Sequence, residues 1–223
     1  MKYKIDLHIH TNFSKDSNIS IEDLRKKALL NGINVIAVTD HNTIKGALLA
    51  KKKIKEIEVI VGEEILTSEG EIIGLFLHSE IKPFLSAKDT INQIREQGGL
   101  VYIPHPFSVF RSALKSNAKK LLIDQFDIIE SFNAKSLPYE NFVAKRFASQ
   151  YRKVDAAGSD AHSIEGFGRT YSYVETDLNF CRDNLVKILS QSTIFGRYFF
   201  VENIFYKISA RFQKKKGVLK CKK

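Results

Sequence analysis

Residues 5–10 constrain the fold of this chain more than any other stretch. Three apolar residues alternate there with Asp6, His8 and His10, which is the period of a β-strand with one apolar and one polar face. Two histidines two positions apart can direct their ring nitrogens at one point, as a metal site requires. The segment therefore predicts a first strand that carries a carboxylate and two imidazoles on the same face.

Similar apolar runs recur along the chain, with helical patterns between most of them. Ser20 and Ser86, each followed three residues later by an aspartate, are typical of helix starts. Further strands are predicted at residues 34–39, 57–61, 72–77, 100–103, 127–132, 154–158 and 171–174. Strands that alternate with helices favour a parallel sheet.

Histidine and carboxylate residues cluster at the ends of five predicted strands. These strands end at His10, Thr39, Gly62, Ile103 and Gly158. The carboxyl ends of the strands form the active site of an α/β barrel, whereas an open doubly wound sheet binds its ligand at one switch point. We therefore predict an α/β fold, namely a distorted seven-stranded (β/α)7 TIM-like barrel. The 223 residues suffice for one such core.

Five of the six histidines lie at these strand ends: His8, His10, His41, His105 and His162. A lone histidine most often fills an ordinary hydrogen-bonding role, but five in equivalent positions beside carboxylates favour a metal centre. His78 has no carboxylate at motif spacing, and we exclude it. The two cysteines, Cys181 and Cys221, lie far from every histidine. Imidazoles and carboxylates would therefore hold the metal, a set that suits Mn, Zn or Fe.

Three features favour a cytoplasmic protein. The two cysteines build no disulfide framework, which fits a reducing compartment. The N-terminus leads directly into the first strand and leaves no room for a signal peptide. No run approaches the ~18 apolar residues of a membrane span, so we predict no transmembrane segment.

The motifs resemble those of the PHP (polymerase and histidinol phosphatase) family of metal-dependent phosphoesterases. The matching stretches follow the family's order and are DLHIHT at 6–11, TDHN at 39–42, GEE at 62–64, PHP at 104–106 and GSDAH at 158–162. The resemblance implies a distorted seven-stranded α/β barrel that holds two or three divalent metal ions. It also implies a branch of the family that acts on nucleotides or oligonucleotides.

The family pattern further implies the metal ligands His8, His10, Asp16, His41, Glu64, Glu71, His105, Asp160 and His162. His8, His10 and Asp160 would hold a first metal, which Glu64 would bridge to a second at His105. A third would lie between His41, His162 and Asp16. Glu71 stands where some relatives carry a histidine, and an exposed turn glutamate is its alternative interpretation. For Asp16 the alternative is a loop turn residue.

Three other carboxylates near these motifs receive roles outside the ligand set. Asp6 shares the polar strand face and is expected to orient an imidazole. Asp40 would orient a ligand or accept a proton, and it is our candidate catalytic residue. Glu63 alternates with Glu64, so we expect it to point away into solvent or a salt bridge.

This ligand set suits phosphate ester hydrolysis. Two cations ~3.5–4 Å apart can hold a bridging hydroxide as the nucleophile and neutralise the phosphate oxygens. Arg111 and Arg169, on loops after His105 and His162, are candidate substrate-binding residues, because a guanidinium can bind two phosphate oxygens. Ordinary surface arginines are the alternative.

The leading hypothesis is a phosphoesterase that acts on nucleotides or short oligonucleotides, such as a 3′,5′-nucleoside bisphosphate or an RNA or DNA 5′ end. The enzymatic alternative is a small-molecule phosphatase of the histidinol-phosphate type. The non-enzymatic alternative is a non-catalytic metal-binding PHP module. An amidohydrolase would carry a lysine near residues 62–64, and this chain has none there.

We assign residues 1–195 to the barrel and 196–223 to a basic, amphipathic C-terminal tail. Six of the net ten positive charges come from lysines in the last ten residues. Phe200, Ile204, Ile208 and Phe212 form an apolar stripe that would pack on the barrel or on a second subunit of a homo-oligomer. Docking on a membrane surface or on nucleic acid is the alternative.

Overall fold

The computed structural model of this chain describes residues 1–199. The predicted apolar stripe that begins at Phe200, and all but the first four residues of the predicted tail, lie outside the described residues. No helix within residues 1–199 is both long and apolar enough to span a membrane.

Nine strands form the sheet: β1 (Lys2–Ile9), β2 (Val35–Val38), β3 (Glu58–Thr67), β4 (Gly70–Leu75), β5 (Leu100–Ile103), β6 (Ile128–Asn133), β7 (Val154–Gly158), β8 (Thr170–Glu175) and β9 (Thr193–Gly196). The helices are α1 (Ile21–Asn31), α2 (Lys45–Lys53), α3 (Ala87–Glu96), α4 (Ser116–Leu121), α5 (Pro138–Gln150) and α6 (Arg182–Ser190). A 3-10 turn covers Ile123–Gln125.

Helices α1 and α3 begin where the predicted capping residues lie. The hydroxyl oxygens of Ser20 and Ser86 each accept a 3.1 Å hydrogen bond from the backbone N–H three residues later. Gly32 ends α1 in the left-handed conformation, with φ of 64°. These helix boundaries therefore follow from local sequence.

The strands run in the order β7–β6–β5–β4–β3–β2–β1–β8–β9. Strand β8 pairs with the first half of β1, while the segment after β7 pairs with the second half. There His10 N–H donates to Ala161 O at 3.0 Å, and Asp160 N–H donates to His8 O at 2.8 Å. These bonds bring β7 back to β1 and nearly close the barrel, which confirms the predicted α/β barrel.

The sheet is mixed, whereas the alternation of strands and helices predicted a parallel one. Strand β3 continues past Glu64 to Thr67, turns at Ser68–Glu69 and returns as the antiparallel strand β4. Strands β1 to β7 follow one another around the barrel, and β8 and β9 add an antiparallel hairpin beside β1. The missing helix between β3 and β4 forces the antiparallel pairing.

Two apolar clusters hold the barrel. The inner one fills the floor with Ile5, Leu7 and Tyr102 and includes residues of α6, whereas the outer one lies between the sheet and α1, α2 and α3. Ile9 belongs to the outer cluster, because the pairing of β1 with β2 shifts register between Asp6 and Ile9. The strict alternation predicted for residues 5–10 is therefore wrong beyond Leu7.

Candidate metal centre

The nine residues predicted as ligands all lie at one end of the barrel. They come from β1, β3 and β4, from the segments that follow β2, β5 and β7, and from the loop before α1. Eight of them belong to groups whose ligand atoms lie within 4.8 Å of one another: His8, His10, His41, Glu64, Glu71, His105, Asp160 and His162. The ninth, Asp16, joins them through His162, whose Nε2 lies 3.0 Å from Asp16 Oδ2.

The first group lies at the end of β1. His8 Nε2 and His10 Nε2 face each other at 3.1 Å. Glu64 Oε2 lies 3.3 Å from the first nitrogen and 3.2 Å from the second. Asp160 Oδ1 is 3.8 and 3.5 Å from the same two nitrogens. Two ligands at ~2.1 Å from a shared tetrahedral cation are about 3.4 Å apart, so these separations fit a bound metal ion.

Glu64 connects this group to the others. Its Oε1 lies 3.0 Å from His105 Nε2, and its Oε2 lies 3.1 Å from His41 Nδ1. Glu71 Oε2 is 3.7 Å from His105 Nε2. The other ring nitrogen of His105, Nδ1, is buried without a hydrogen-bond partner among residues 1–199. Glu64 therefore lies between the groups of His8, His105 and His41, and its bridging role stays a prediction.

The third group combines His10, His41 and His162. Asp16, half exposed in its loop, reaches His162 at 3.0 Å and His41 Nε2 at 3.7 Å through the same carboxylate oxygen. Burial raises the pKa of Asp16, but hydrogen bonds from His162 and His41 outweigh it and hold the pKa well below its usual value. The carboxylate is therefore ionised and available to a cation.

Several like charges are buried together here. Burial opposes ionisation of Glu64, yet His8 and the hydrogen bonds from His10 and His105 hold its pKa well below the usual range. Burial, with the charge of Glu64 added, raises the pKa of Glu71 to about 8. A bound divalent cation would compensate the negative charge of such buried carboxylates. The donor set of imidazoles and carboxylates thus fits divalent Mn, Zn or Fe.

The backbone is strained where two of the candidate ligands are presented. His105 has φ of 27° and Asp160 has φ of 50°, both in a region that side chains other than glycine rarely adopt. Hydrogen bonds hold each conformation: His105 N–H donates to Glu130 and Asp160 N–H to His8 O. Strain of this kind clusters at functional sites.

Sequence reasoning missed Glu130, which is fully buried in β6. Its Oε1 lies 3.0 Å from His8 Nδ1 and accepts a 2.9 Å hydrogen bond from Tyr102 Oη. Its Oε2 accepts from His105 N–H at 2.6 Å. An ionised carboxylate can only accept hydrogen bonds, so His8 carries its proton on Nδ1. The unprotonated Nε2 then faces His10 and Glu64. A glutamate inside an apolar predicted strand was the available signal.

Lys135 was also missed. It follows β6, and its Nζ lies 3.0 Å from both Asp160 Oδ1 and His162 Nδ1. Arg111 reaches the same carboxylate, since its guanidinium donates to Asp160 Oδ2 and, at 2.9 Å, to Asn133 Oδ1. Two cationic side chains therefore lie against one candidate ligand.

Arg169, expected over the metals, has its guanidinium 4.8 Å from the centroid of the Phe199 ring. The N–H of Phe199 donates to Ala134 O at 2.7 Å, next to Lys135. Arg169 is therefore linked through Phe199 to the segment that carries Lys135. The exclusion of His78 agrees with its exposed position.

Asp6 and Asp40 bond to backbone N–H groups and hydroxyls beside the site. Asp6 accepts from the backbone N–H groups of His8 and Ser159, at 3.3 and 3.0 Å, and so joins β1 to the segment after β7. Asp40 accepts from Thr11 and from Ser14 Oγ at 2.7 Å, and Ser14 in turn meets His10 Nδ1 at 3.2 Å. Among these hydrogen bonds, neither Asp6 nor Asp40 bonds directly to an imidazole of the site.

Glu63 points away from the site as expected, but it does not reach solvent. The segment after β4 covers it, and its Oε2 accepts a 2.9 Å hydrogen bond from Ile81 N–H. Burial raises the pKa of Glu63 to about 7. The expectation of a solvent-facing or salt-bridged side chain was therefore wrong.

An α/β barrel with imidazoles and carboxylates gathered at one end defines a class of barrel proteins built around metal ions. Within this class, the chain belongs to the PHP domain family, whose model matches residues 6–216. An uncharacterized protein of Methanocaldococcus jannaschii is 43% identical over 142 residues, which cover 58% of this chain and 83% of that protein.

A 5′-3′ exoribonuclease of Haemophilus influenzae is 36% identical over 104 residues, covering 43% of this chain and 38% of the enzyme. Among solved structures, a two-domain Bacteroides vulgatus protein described as containing a PHP-like metal-dependent phosphoesterase superposes with a TM-score of 0.71. The match has 18% identity and covers 88% of this chain and 65% of that one. The chain thus spans less than two thirds of these two relatives, and the structural match supports the fold alone.

Proposed function

We propose that this protein is a metal-dependent phosphoesterase that hydrolyses phosphate esters of nucleotides or short oligonucleotides, of the 3′,5′-nucleoside bisphosphate or 5′-3′ exonuclease type. The observation that carries the proposal is the convergence of five imidazoles and four carboxylates on one end of the barrel. The partial match to an exoribonuclease supports the nucleotide substrate.

Two or three divalent ions would be held by the groups around His8, His105 and His41, with Glu64 shared among them. Such ions supply Lewis-acid charge neutralisation and lower the pKa of water. Glu71 and Asp16 complete the second and third groups. Since no thiolate is present in the groups, Mn, Zn and Fe are all compatible with the donors.

Arg111 and Lys135 would bind the phosphate. Both lie against Asp160, with side chains that are only 18% and 9% exposed. Ser108 and Ser136 accept hydrogen bonds from Arg111 at 3.2 and 2.7 Å, so its guanidinium is already oriented beside the site. Four of the five N–H donors of Arg111 already bond to Ser108, Asn133, Asp160 and Ser136, so a phosphate oxygen would take the remaining one.

Arg169 and Asp40 would act through other residues. We assign Arg169 to support of the segment that carries Lys135, through Phe199. Asp40 would be a positioning residue that holds Ser14 against His10 and the loop after β1, because its carboxylate oxygens bond to Thr11 and Ser14. Of the two roles expected for Asp40, the proposal keeps the orienting one.

The test uses the full chain, stripped with a chelator and reloaded with Mn²⁺, Zn²⁺ or Fe²⁺. Phosphate release is measured from adenosine 3′,5′-bisphosphate, a 5′-phosphorylated RNA 10-mer and histidinol phosphate. We expect metal-dependent release from a nucleotide substrate and a loss of about 100-fold or more in kcat/KM for His10→Ala. His78→Ala, which changes an exposed histidine, is the matched control and should keep full activity.

Two results would overturn the proposal. Release confined to histidinol phosphate would assign the small-molecule phosphatase instead. A metal-loaded protein that releases phosphate from no ester would assign the non-catalytic metal-binding module.

A further inference from the structure

A groove on the outer face of the barrel has no part in the site described so far. It lies between α5 and the segment that follows β9, and its cavity volume is about 350 Å³. Its walls include Phe132, Asn141, Phe142, Lys145, Arg146 and Tyr198. A second, shallower depression continues along α5 past Lys145 and Arg146 to Gln150. We call the two together the α5 groove.

The α5 groove begins beside the candidate metal centre. Asn141 lies in its wall, and the side chain of Asn141 exchanges two 3.0 Å hydrogen bonds with the backbone of Asn133. Asn133 Nδ2 in turn donates to Asp160 Oδ2 at 3.3 Å. Ser136, two residues before Pro138 in the groove wall, accepts from Arg111. The wall of the α5 groove and the contacts to Asp160 and Arg111 therefore come from one short segment, residues 133–141.

The chemistry of the walls is cationic and aromatic. Lys145 and Arg146 belong to both depressions, and no aspartate or glutamate lies among the described residues that line them. Phe142 is 57% exposed and Tyr198 is 45% exposed, so both rings present part of their surface to a ligand. The guanidinium carbon of Arg146 lies 5.8 Å from the centroid of the Phe142 ring, and the rings of Tyr198 and Phe132 lie 5.2 Å apart with their planes tilted by 41°. Basic grooves with exposed rings bind single-stranded nucleic acid, through phosphates and base stacking.

We propose that the α5 groove binds the single-stranded nucleic-acid segment that continues from the phosphodiester held at the candidate metal centre. This inference rests on the proposed function and names its polymeric substrate. A second copy of this chain is a poor occupant, because its formal charge of +10 would meet a basic groove. The 350 Å³ cavity lies in the size range of small-ligand sites, about 300–1,000 Å³, which suits individual bases.

The first measurement is binding of a fluorescein-labelled single-stranded RNA 10-mer to the full chain in chelator, by fluorescence anisotropy. Lys145→Gln/Arg146→Gln should weaken binding about tenfold at low salt and reduce the slope of log Kd against log salt by about 1.4, at 0.7 per lost phosphate contact. Phe142→Ala should weaken it at least about fivefold through lost stacking. Lys51→Gln/Lys52→Gln removes two exposed charges from α2 and should leave binding unchanged.

The second measurement compares substrates in the metal-loaded protein. The groove variants should raise KM for the RNA 10-mer about tenfold, with kcat/KM for adenosine 3′,5′-bisphosphate within twofold of the wild type. Wild-type affinity of all groove variants for RNA would overturn the inference, as would equal losses on the mononucleotide. Displacement of the RNA by a poly-glutamate 10-mer at equal concentration would overturn it in favour of an acidic protein partner.

The two proposals fail in distinguishable ways. A wild-type protein that releases phosphate from no ester, but whose groove variants lose RNA affinity, would contradict the phosphoesterase and keep the groove. An active enzyme whose groove variants bind and cleave RNA normally would contradict the groove alone.

Discussion

Glu130 shows how one buried acid orients a site that it does not enter. It accepts hydrogen bonds from His8 Nδ1, Tyr102 Oη, His105 N–H and Asn133 Nδ2 at 3.0, 2.9, 2.6 and 2.9 Å. Two of these donors belong to candidate ligands, one in β1 and one in the segment after β5. Groups that hold a ligand histidine in this way commonly affect metal affinity almost as strongly as the ligand itself.

We therefore expect Glu130→Gln to weaken metal binding by about 10–100-fold, because the amide no longer fixes the proton of His8 on Nδ1. Isothermal titration of the metal-free protein measures this loss, and circular dichroism checks the fold. Tyr102→Phe is the control, since it removes a partner of Glu130 that is not a ligand. An unchanged affinity of Glu130→Gln would contradict the orienting role.

Lys119 carries a charge that the fold buries. Its side chain is 5% exposed, donates to Pro106 O and lies 4.0 Å over the Phe107 ring. Burial lowers the pKa of Lys119 from 10.5 to about 8. Between these two values the unfolded chain binds more protons than the folded protein, so this lysine makes stability rise with pH. Below pH 8 the burial penalty is present in full.

Lys119→Met removes that penalty. We expect the free energy of unfolding of the variant to exceed that of the wild type by about 1–2 kcal/mol at pH 7. The lost hydrogen bond to Pro106 offsets part of the gain. The difference should shrink as the pH approaches about 10. Urea denaturation across this range measures it, with exposed Lys120→Met as the control. A pH-independent difference would contradict the assignment.

At the scale of elements, the end of β7 packs directly on the site. A Cβ added to Gly158 would overlap Glu130 Oε1 and lie 2.7 Å from His8 Cβ. This close approach allows β7 to lie beside β1 and β6, where the barrel closes. The glycine of the GSDAH motif therefore serves packing, whereas the aspartate and histidine serve the site.

Gly158→Ala should destabilise the protein by about 1–3 kcal/mol, which is typical of overpacking, and should also weaken metal binding because His8 and Glu130 must move. Thermal unfolding and metal titration measure the two effects. A variant that loses stability but binds metal as tightly as the wild type would show that the strain is relieved away from His8.

Some helices and strands were predicted from the local sequence, and others were not. Helices α1 and α3 follow local capping and periodic signals, and their starts were predicted at the right residues. The short strand β9 and helix α4 were missed, and the strand predicted over 57–61 extends to Thr67 as β3. The short turn between β3 and β4 forces the antiparallel return, whereas the pairing of β4 with β5 joins segments about 27 residues apart and is set by the packing of the barrel.

At the scale of the whole molecule, the clustered acids and imidazoles link folding to metal binding. A cation that binds only the folded state stabilises it by about 2.7 kcal/mol at 100 times its Kd. For a chain of this size, that corresponds to a rise in Tm of roughly 5–10 °C. Chelation should therefore lower Tm by this amount, and readdition of Mn²⁺ or Zn²⁺ should restore it.

Differential scanning calorimetry checks this expectation without a substrate. His10→Ala should lose most of the metal-dependent shift, while His78→Ala should keep it. A wild-type Tm that does not respond to chelator or metal would contradict the metal centre itself.

The sequence alone predicted the barrel class and selected the five histidines, because strand periodicity, caps and the residues at strand ends are local properties, whereas the carboxylate ligand candidates came from the resemblance to the PHP family. His8, His10, His41, His105 and His162 could be selected in this way without coordinates. Only the tertiary structure decided that Glu130 orients His8, that Lys135 reaches Asp160 and that Glu63 is buried. These roles depend on contacts between strands distant in sequence, and the pairing register and barrel closure that set them are determined by the packing of the whole chain.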